Sequence, residues 1–160
     1  MFDIVLGLPV HALVVHATVV VVPTAALSVL LAGVWPRFRR WAGWGPAALA
    51  VVALVLTPIS TSSGEELEHH VGHSRLIEDH SHLADMLIWW TVPLAVIAVV
   101  AWFLNRRGSF RSPRSTSVVV AVVSVVVGLG TLVQVVLIGH SGAEAAWSDV
   151  ASSSSQSDHG

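Results

Sequence analysis

The chain has 160 residues, of which 54% are hydrophobic and 11% charged, with a formal net charge of −2 and no cysteine. Soluble domains carry about one quarter charged residues, so this composition excludes a water-soluble globular enzyme, and the absence of a basic surplus excludes a nucleic-acid binder. Without thiols, disulfides, thiolate catalysis, iron–sulfur clusters and Cys-ligated zinc are excluded too.

Four apolar runs are each long enough to cross the roughly 30 Å hydrocarbon layer of a bilayer. The first is Val10 to Val34. Pro9 suits a first helical turn, where its missing N–H costs nothing. Pro23 is expected to kink the run, which membrane helices tolerate. The second run, Trp41 to Ile59, is interrupted by Gly43, Gly45, Pro46 and Pro58. The third is Leu83 to Leu104 and the fourth Val118 to Ile138. Their many valines favour strands in water. In lipid the backbone must satisfy its own hydrogen bonds, so uninterrupted runs of this length read as helices. The expected fold is all-α: an integral membrane four-helix bundle over residues 1–147, with a short helical outer loop between helices 2 and 3. The Ser-rich residues 148–160 are expected to form a disordered polar tail. Ser63 with Glu66 reads as a capping box and Ser74 as the cap of the helix leading into the third span. Ser124 and Gly128 form a small-xxx-small pair for close helix packing, and Gln134 is placed to hydrogen-bond a neighbouring helix.

All eight basic residues are arginines. Arg37, Arg39 and Arg40 lie between the first two spans, and Arg106, Arg107, Arg111 and Arg114 between the last two. Neither connection contains an acidic residue. The positive-inside rule puts both in the cytoplasm, so both termini and the segment Ser60 to His82 face outward. Trp35, Trp41, Trp44 and Trp102 mark the inner interface as an aromatic belt. Asp3 and the lack of a basic n-region argue against a cleavable signal peptide. The Arg-only, Val- and Ala-rich composition fits a GC-rich bacterial coding sequence, hence a bacterial cytoplasmic membrane.

None of the nine histidines falls on the cytoplasmic side of this map. His11 and His16 are at the outer end of the first span. His69, His70, His73, His80 and His82 occupy the outer loop and the approach to the third span. His140 ends the fourth span and His159 is in the tail. Three separate helices therefore bring imidazoles to about one level, and His16 does so from within an apolar run.

Several of these segments resemble a known family. Gly7-Leu8-Pro9-Val10-His11 through His16, Thr57-Pro58-Ile59 followed by Ser63-Gly64-Glu65, and Glu78-Asp79-His80 are similar to the domain-of-unknown-function 2231 family of four-helix bacterial membrane proteins. Ile138-Gly139-His140-Ser141-Gly142-Ala143 with Trp147 resembles its actinobacterial branch. The resemblance reaches to about Trp147 and implies an integral bacterial membrane protein. Some relatives carry fused redox domains, which implies an electron-transfer context. Ala12 departs from the family pattern, which usually has proline after the first histidine.

Three readings of the histidines stay open. Haem b requires two neutral imidazoles on different helices across an apolar gap. His16 and His80 are the first pair for it and His11 and His140 the reserve pair, with Arg75 available to a propionate. A divalent metal, Zn or Cu, suits imidazole with carboxylate. His69 and His73 would share one helix face, with Glu65 and Glu66 a turn earlier. In the third reading the histidines only hydrogen-bond neighbouring helices. The expected function is a redox-associated membrane subunit binding haem b or a divalent metal through outer-level histidines. The alternative is a non-catalytic structural or assembly subunit without a cofactor. No G-x-S-x-G elbow is present, so a hydrolase is not expected. The expected partners are the lipid bilayer and another membrane or redox subunit.

Reporter fusions after Arg40 and after Arg114 are expected to report cytoplasm, and a fusion at Gly72 exterior. A cytoplasmic signal at Gly72 would reverse the side assignment.

Overall fold

The computed structural model describes the backbone of residues 4–5, 8–68, 75–107 and 114–157. A minimal antiparallel pair, β1 (Ile4–Val5) and β2 (Leu8–Pro9), precedes six helices. These are α1 (Val10–Val34), α2 (Pro36–Ala42), α3 (Gly45–Glu68), α4 (Arg75–Asp85), α5 (Ile88–Arg106) and α6 (Arg114–Ser157). The protein is all-helical apart from β1 and β2. Four segments, Leu13–Val34, Gly45–Glu65, Arg75–Arg106 and Ser115–Glu144, are long and apolar enough to cross a membrane.

The helix boundaries refine the sequence reading. Pro9 belongs to β2 and helix begins at Val10. Trp41 belongs to the short α2, because Gly43 at φ +57° takes a conformation open to glycine and ends that helix. The second span therefore starts at Gly45 and extends past Ile59 to Glu68. Ser63 lies inside it and donates to the Ser60 carbonyl at 2.9 Å, so it is not an N-cap. Ser74 is outside the described residues. Leu83 belongs to α4, and the third membrane helix proper begins at Ile88. The backbone of α6 continues as helix beyond Ile138 to Ser157.

The four long helices alternate in direction and stand at the corners of a square. α1 and α5 each pack between α3 and α6 and face one another only across the diagonal. The first and third spans are therefore not packed neighbours. The core is made mostly of small side chains: Ala25, Ala26, Ala50, Ala53, Ala95 and Ala98, with Val22, Val29 and Leu94 filling between them. Lipid tails are as apolar as leucine, so close backbone approach and dispersion contacts hold such helices together.

α6 shows this most clearly. A Cβ on Gly128 would lie 3.1 Å from Leu30 Cβ and 3.2 Å from the Ala26 carbonyl oxygen, so only glycine lets α1 come this near. One turn away, Ser124 fills the space over Gly33. The Ser124 hydroxyl is fully buried and has no hydrogen-bond partner among the described residues, so this serine acts here through its size. The expected Ser124–Gly128 packing pair is thus present. The opposite face of α6 exposes Val118, Val119, Val122, Val126, Val133 and Val136.

Both arginine-bearing connections lie at one end of the bundle. Trp35 stacks on Phe38, and Phe38 meets Trp41. The Arg106 guanidinium sits 5.2 Å from the Trp102 ring centre and that of Arg107 4.1 Å from Phe103. Arg39 is buried in α2, and desolvation, with Arg40 beside it, lowers its pKa below the usual arginine value.

Trp90 lies directly over Gly130. A methyl there must displace the indole, an overpacking cost of about 1–3 kcal/mol. At Gly139 nothing is within 4 Å of the corresponding Cβ position, and alanine gains up to roughly 1 kcal/mol of helix propensity. Gly130→Ala is expected to lower the unfolding midpoint in detergent, and Gly139→Ala to leave it unchanged or raise it. Equal midpoints would show that Trp90 does not need the glycine.

Candidate functional site

At the end opposite the arginines, α4 and α5 form one nearly continuous stretch broken at Met86–Leu87. The Leu87 N–H bonds to the Ala84 carbonyl at 3.1 Å, three residues back, instead of to Leu83. The Leu83 carbonyl is thereby released. The Gln134 side chain of α6 donates to it at 2.7 Å. Gln134 is itself buried, and pairing two buried polar groups avoids the cost of leaving either without a partner. This is the cross-helix bond expected of Gln134, and it pins α4 to α6.

A second link joins the same helices. His80 Nδ1 lies 2.9 Å from Ser141 Oγ, and Ser141 Oγ donates to the Ile138 carbonyl at 3.0 Å. A serine hydroxyl has one proton. Both contacts are made at once only when Nδ1 is the donor, which in a neutral ring leaves Nε2 as a bare acceptor. Among the described residues Nε2 has no hydrogen-bond partner. The ring lies over Gly142, where a Cβ would be 3.0 Å from Cε1 and 3.3 Å from Nδ1. The helix spacing of Ile77, His80, Ser81 and Ala84 puts one face of α4 against the bundle.

That face lines a half-open cavity of about 620 Å³ between α1, α3, α4 and α6. Its wall is mostly apolar: Val15, Val19, Val22, Leu87, Val135 and Ile138. Polar groups come from Thr18, Thr57, Thr61, Glu65, His80 and Asp85, with the hydroxyls of Ser60 and Ser81, and among the described residues no arginine lines it. Thr18 donates to the Val14 carbonyl at 2.9 Å and Thr57 to that of Ala53 at 2.9 Å, both nearly wholly buried. Neither Glu65 nor Asp85 is hydrogen-bonded or ion-paired among the described residues.

The candidate residues from sequence distribute unevenly around this cavity. His80 and Glu65 line it. His16 is exposed on α1 and is not part of the lining, so His16 and His80 do not share one site. A shared site would need the first and third spans to face each other closely, and the square arrangement puts them on a diagonal. His140 is exposed on α6 and meets Glu144 at 3.4 Å, one turn away and open to solvent. Arg75 is exposed at the start of α4. The backbones of His11 and Glu66 lie in α1 and α3, but their side chains fall outside the described residues, as do His69 and His73 entirely. Among the described residues no group of three His, Asp or Glu side chains is arranged to hold a metal ion.

Ser141 and Asp85 are functional candidates that sequence reasoning did not assign to the site. The signal for Ser141 was the run Gly139, Ser141 and Gly142, whose small residues leave room for a ring from another helix. Asp85 stands one turn after Ser81 on the inward face of α4.

A four-helix multi-pass membrane protein with one mixed apolar and acidic cavity at its histidine end is the class these features define. A family model described as Predicted membrane protein (DUF2231) matches residues 7–154, and the chain belongs to that family. No curated protein and no solved structure matches the chain.

Replacing Gln134 by leucine leaves the Leu83 carbonyl buried without its donor, at a cost of about 1–3 kcal/mol. Gln134→Leu is expected to speed amide hydrogen exchange through α4 while leaving the middle of α1 unchanged. Unaltered exchange in α4 would show that the bond does not hold the helix down.

Proposed function

We propose that this protein is a non-catalytic binding subunit of a bacterial cytoplasmic membrane, and that its working element is the cavity under α4. Both arginine-bearing connections are cytoplasmic in this reading, and the cavity lies at the outer level of the bilayer. One observation carries the proposal: a space of about 620 Å³ inside a bundle otherwise packed with alanine, apolar on its walls and polar near His80. Small-molecule sites have this make-up, a mostly apolar concavity with a few fixed polar groups. An amphipathic molecule fits it, with its apolar body among Val19, Val22 and Val135 and its polar head toward α4.

The haem b reading needs a second imidazole facing His80. The position of His16 on the exposed side of α1 gives it no support. A metal at His80 with Glu65 and Asp85 gains no support from their arrangement either. A redox partner would have to dock from outside the bundle.

Ala84 lines the cavity from α4. Ala84→Phe puts a ring into the space one turn from His80 and leaves Gln134 and Ser141 unchanged in sequence. Native mass spectrometry of the detergent-released protein is expected to show a bound small molecule on the wild type and none on Ala84→Phe. A wild type that carries no added mass, or an Ala84→Phe protein that carries the same one, would overturn the binding reading.

A further inference from the structure

The polar groups of the cavity share one chemical character. The Thr18 and Thr57 hydroxyl protons go to carbonyls of their own helices, and Thr61 donates to the Pro58 carbonyl at 3.2 Å. What these oxygens retain toward the cavity is lone pairs. His80 is in the same position: with Nδ1–H committed to Ser141, its remaining nitrogen accepts. Glu65 and Asp85 add carboxylates, which only accept when ionised. The Ser60 and Ser81 hydroxyls line the space as well, and among the described residues no cationic side chain does. A ligand that brings acceptors or negative charge meets serine hydroxyls alone, and faces two carboxylates. A ligand that brings N–H donors and positive charge matches the whole set.

We propose that the cavity binds a lipophilic amine in its protonated form. The apolar chain lies among Val19, Val22, Leu87 and Val135, and the ammonium N–H groups donate to His80 Nε2 within the field of Glu65 and Asp85. This rests on the cavity reading above and names the chemistry of its ligand. An alkylammonium has a pKa near that of lysine, about 10.4, and is charged at neutral pH. A charge-assisted hydrogen bond is about twice as strong as a neutral one, and carboxylates act more strongly on a cation at the edge of a low-dielectric bundle than in water. Ser141 is a positioning residue in this scheme, because its bonds choose which imidazole nitrogen is the acceptor.

Four probes of equal chain length separate the alternatives: octylammonium, octyltrimethylammonium, 1-octanol and octanoate. Binding is measured by titration calorimetry on the full chain in nanodiscs of zwitterionic lipid, with empty nanodiscs as the reference for partitioning. Octylammonium is expected to bind about tenfold or more tightly than octanol or octyltrimethylammonium, the latter having charge but no N–H. Octanoate is expected to be weakest. Glu65→Gln and Asp85→Asn, both at exposed positions, are expected to lower octylammonium affinity while leaving octanol unchanged. In protein labelled with 15N at histidine, octylammonium is expected to move the His80 Nε2 resonance and octyltrimethylammonium to leave it in place. Octanol binding as well as octylammonium would overturn the amine proposal and leave the cavity reading standing. Preference for octyltrimethylammonium would replace hydrogen-bond recognition by charge alone and overturn the role of His80. No binding by any of the four would overturn both.

Discussion

The half of this molecule away from the arginines depends on a single carbonyl, that of Leu83. In an unbroken helix it would accept from Leu87, and residues 75–106 would form one long rod. Because Leu87 bonds instead to Ala84, α4 ends before α5 begins, and Leu83 finds its donor elsewhere. Gln134 supplies it from α6. The bond is partly buried, and a group left without its partner in such a place costs about 1–3 kcal/mol. The docking of α4 on α6, whose inner face lines the cavity, uses that substitution of one donor for another.

The same half shows how far α4 is held by specificity instead of bulk packing. It has no buried residue of its own, and two polar contacts, from Gln134 and Ser141, fix its position against α6. The arginine end uses different means. There, short α2 and the ends of α5 lean aromatic rings against guanidinium groups, an arrangement suited to a polar–apolar boundary where charged tips reach water and rings stay at headgroup level.

The spans were legible in the sequence because bilayer thickness turns length and apolarity into a structural rule. α1 runs from Val10 to Val34, as its hydropathy indicates, and Gln134 stands out as the strongly polar side chain deep in an apolar run, so its cross-helix bond could be anticipated. The site was less legible. His80, singled out in the sequence, lines the cavity, but the His16 paired with it lies on the exposed side of α1. Sequence carries little information on which diagonal a four-helix square adopts. Small residues decide it, through Gly33, Gly128 and Gly130, and each of those glycines speaks only when its opposite number is known. The Ser141 link was hidden for a related reason: a serine next to a histidine, His140, reads as a local pair until another helix is seen to reach it.

The valine face of α6 has a consequence for what makes the chain helical. Val118–Val119–Val120, with Val122–Val123 and Val125–Val126–Val127 close behind, is a run of β-branched residues without a charge or a proline. Embedded in lipid it is a smooth helix with few available rotamers. In water the same run has the make-up of a self-pairing strand. The same segment therefore has two conformations open to it, chosen by solvent. The chain's helical identity is in this sense a property of its surroundings as much as of its residues.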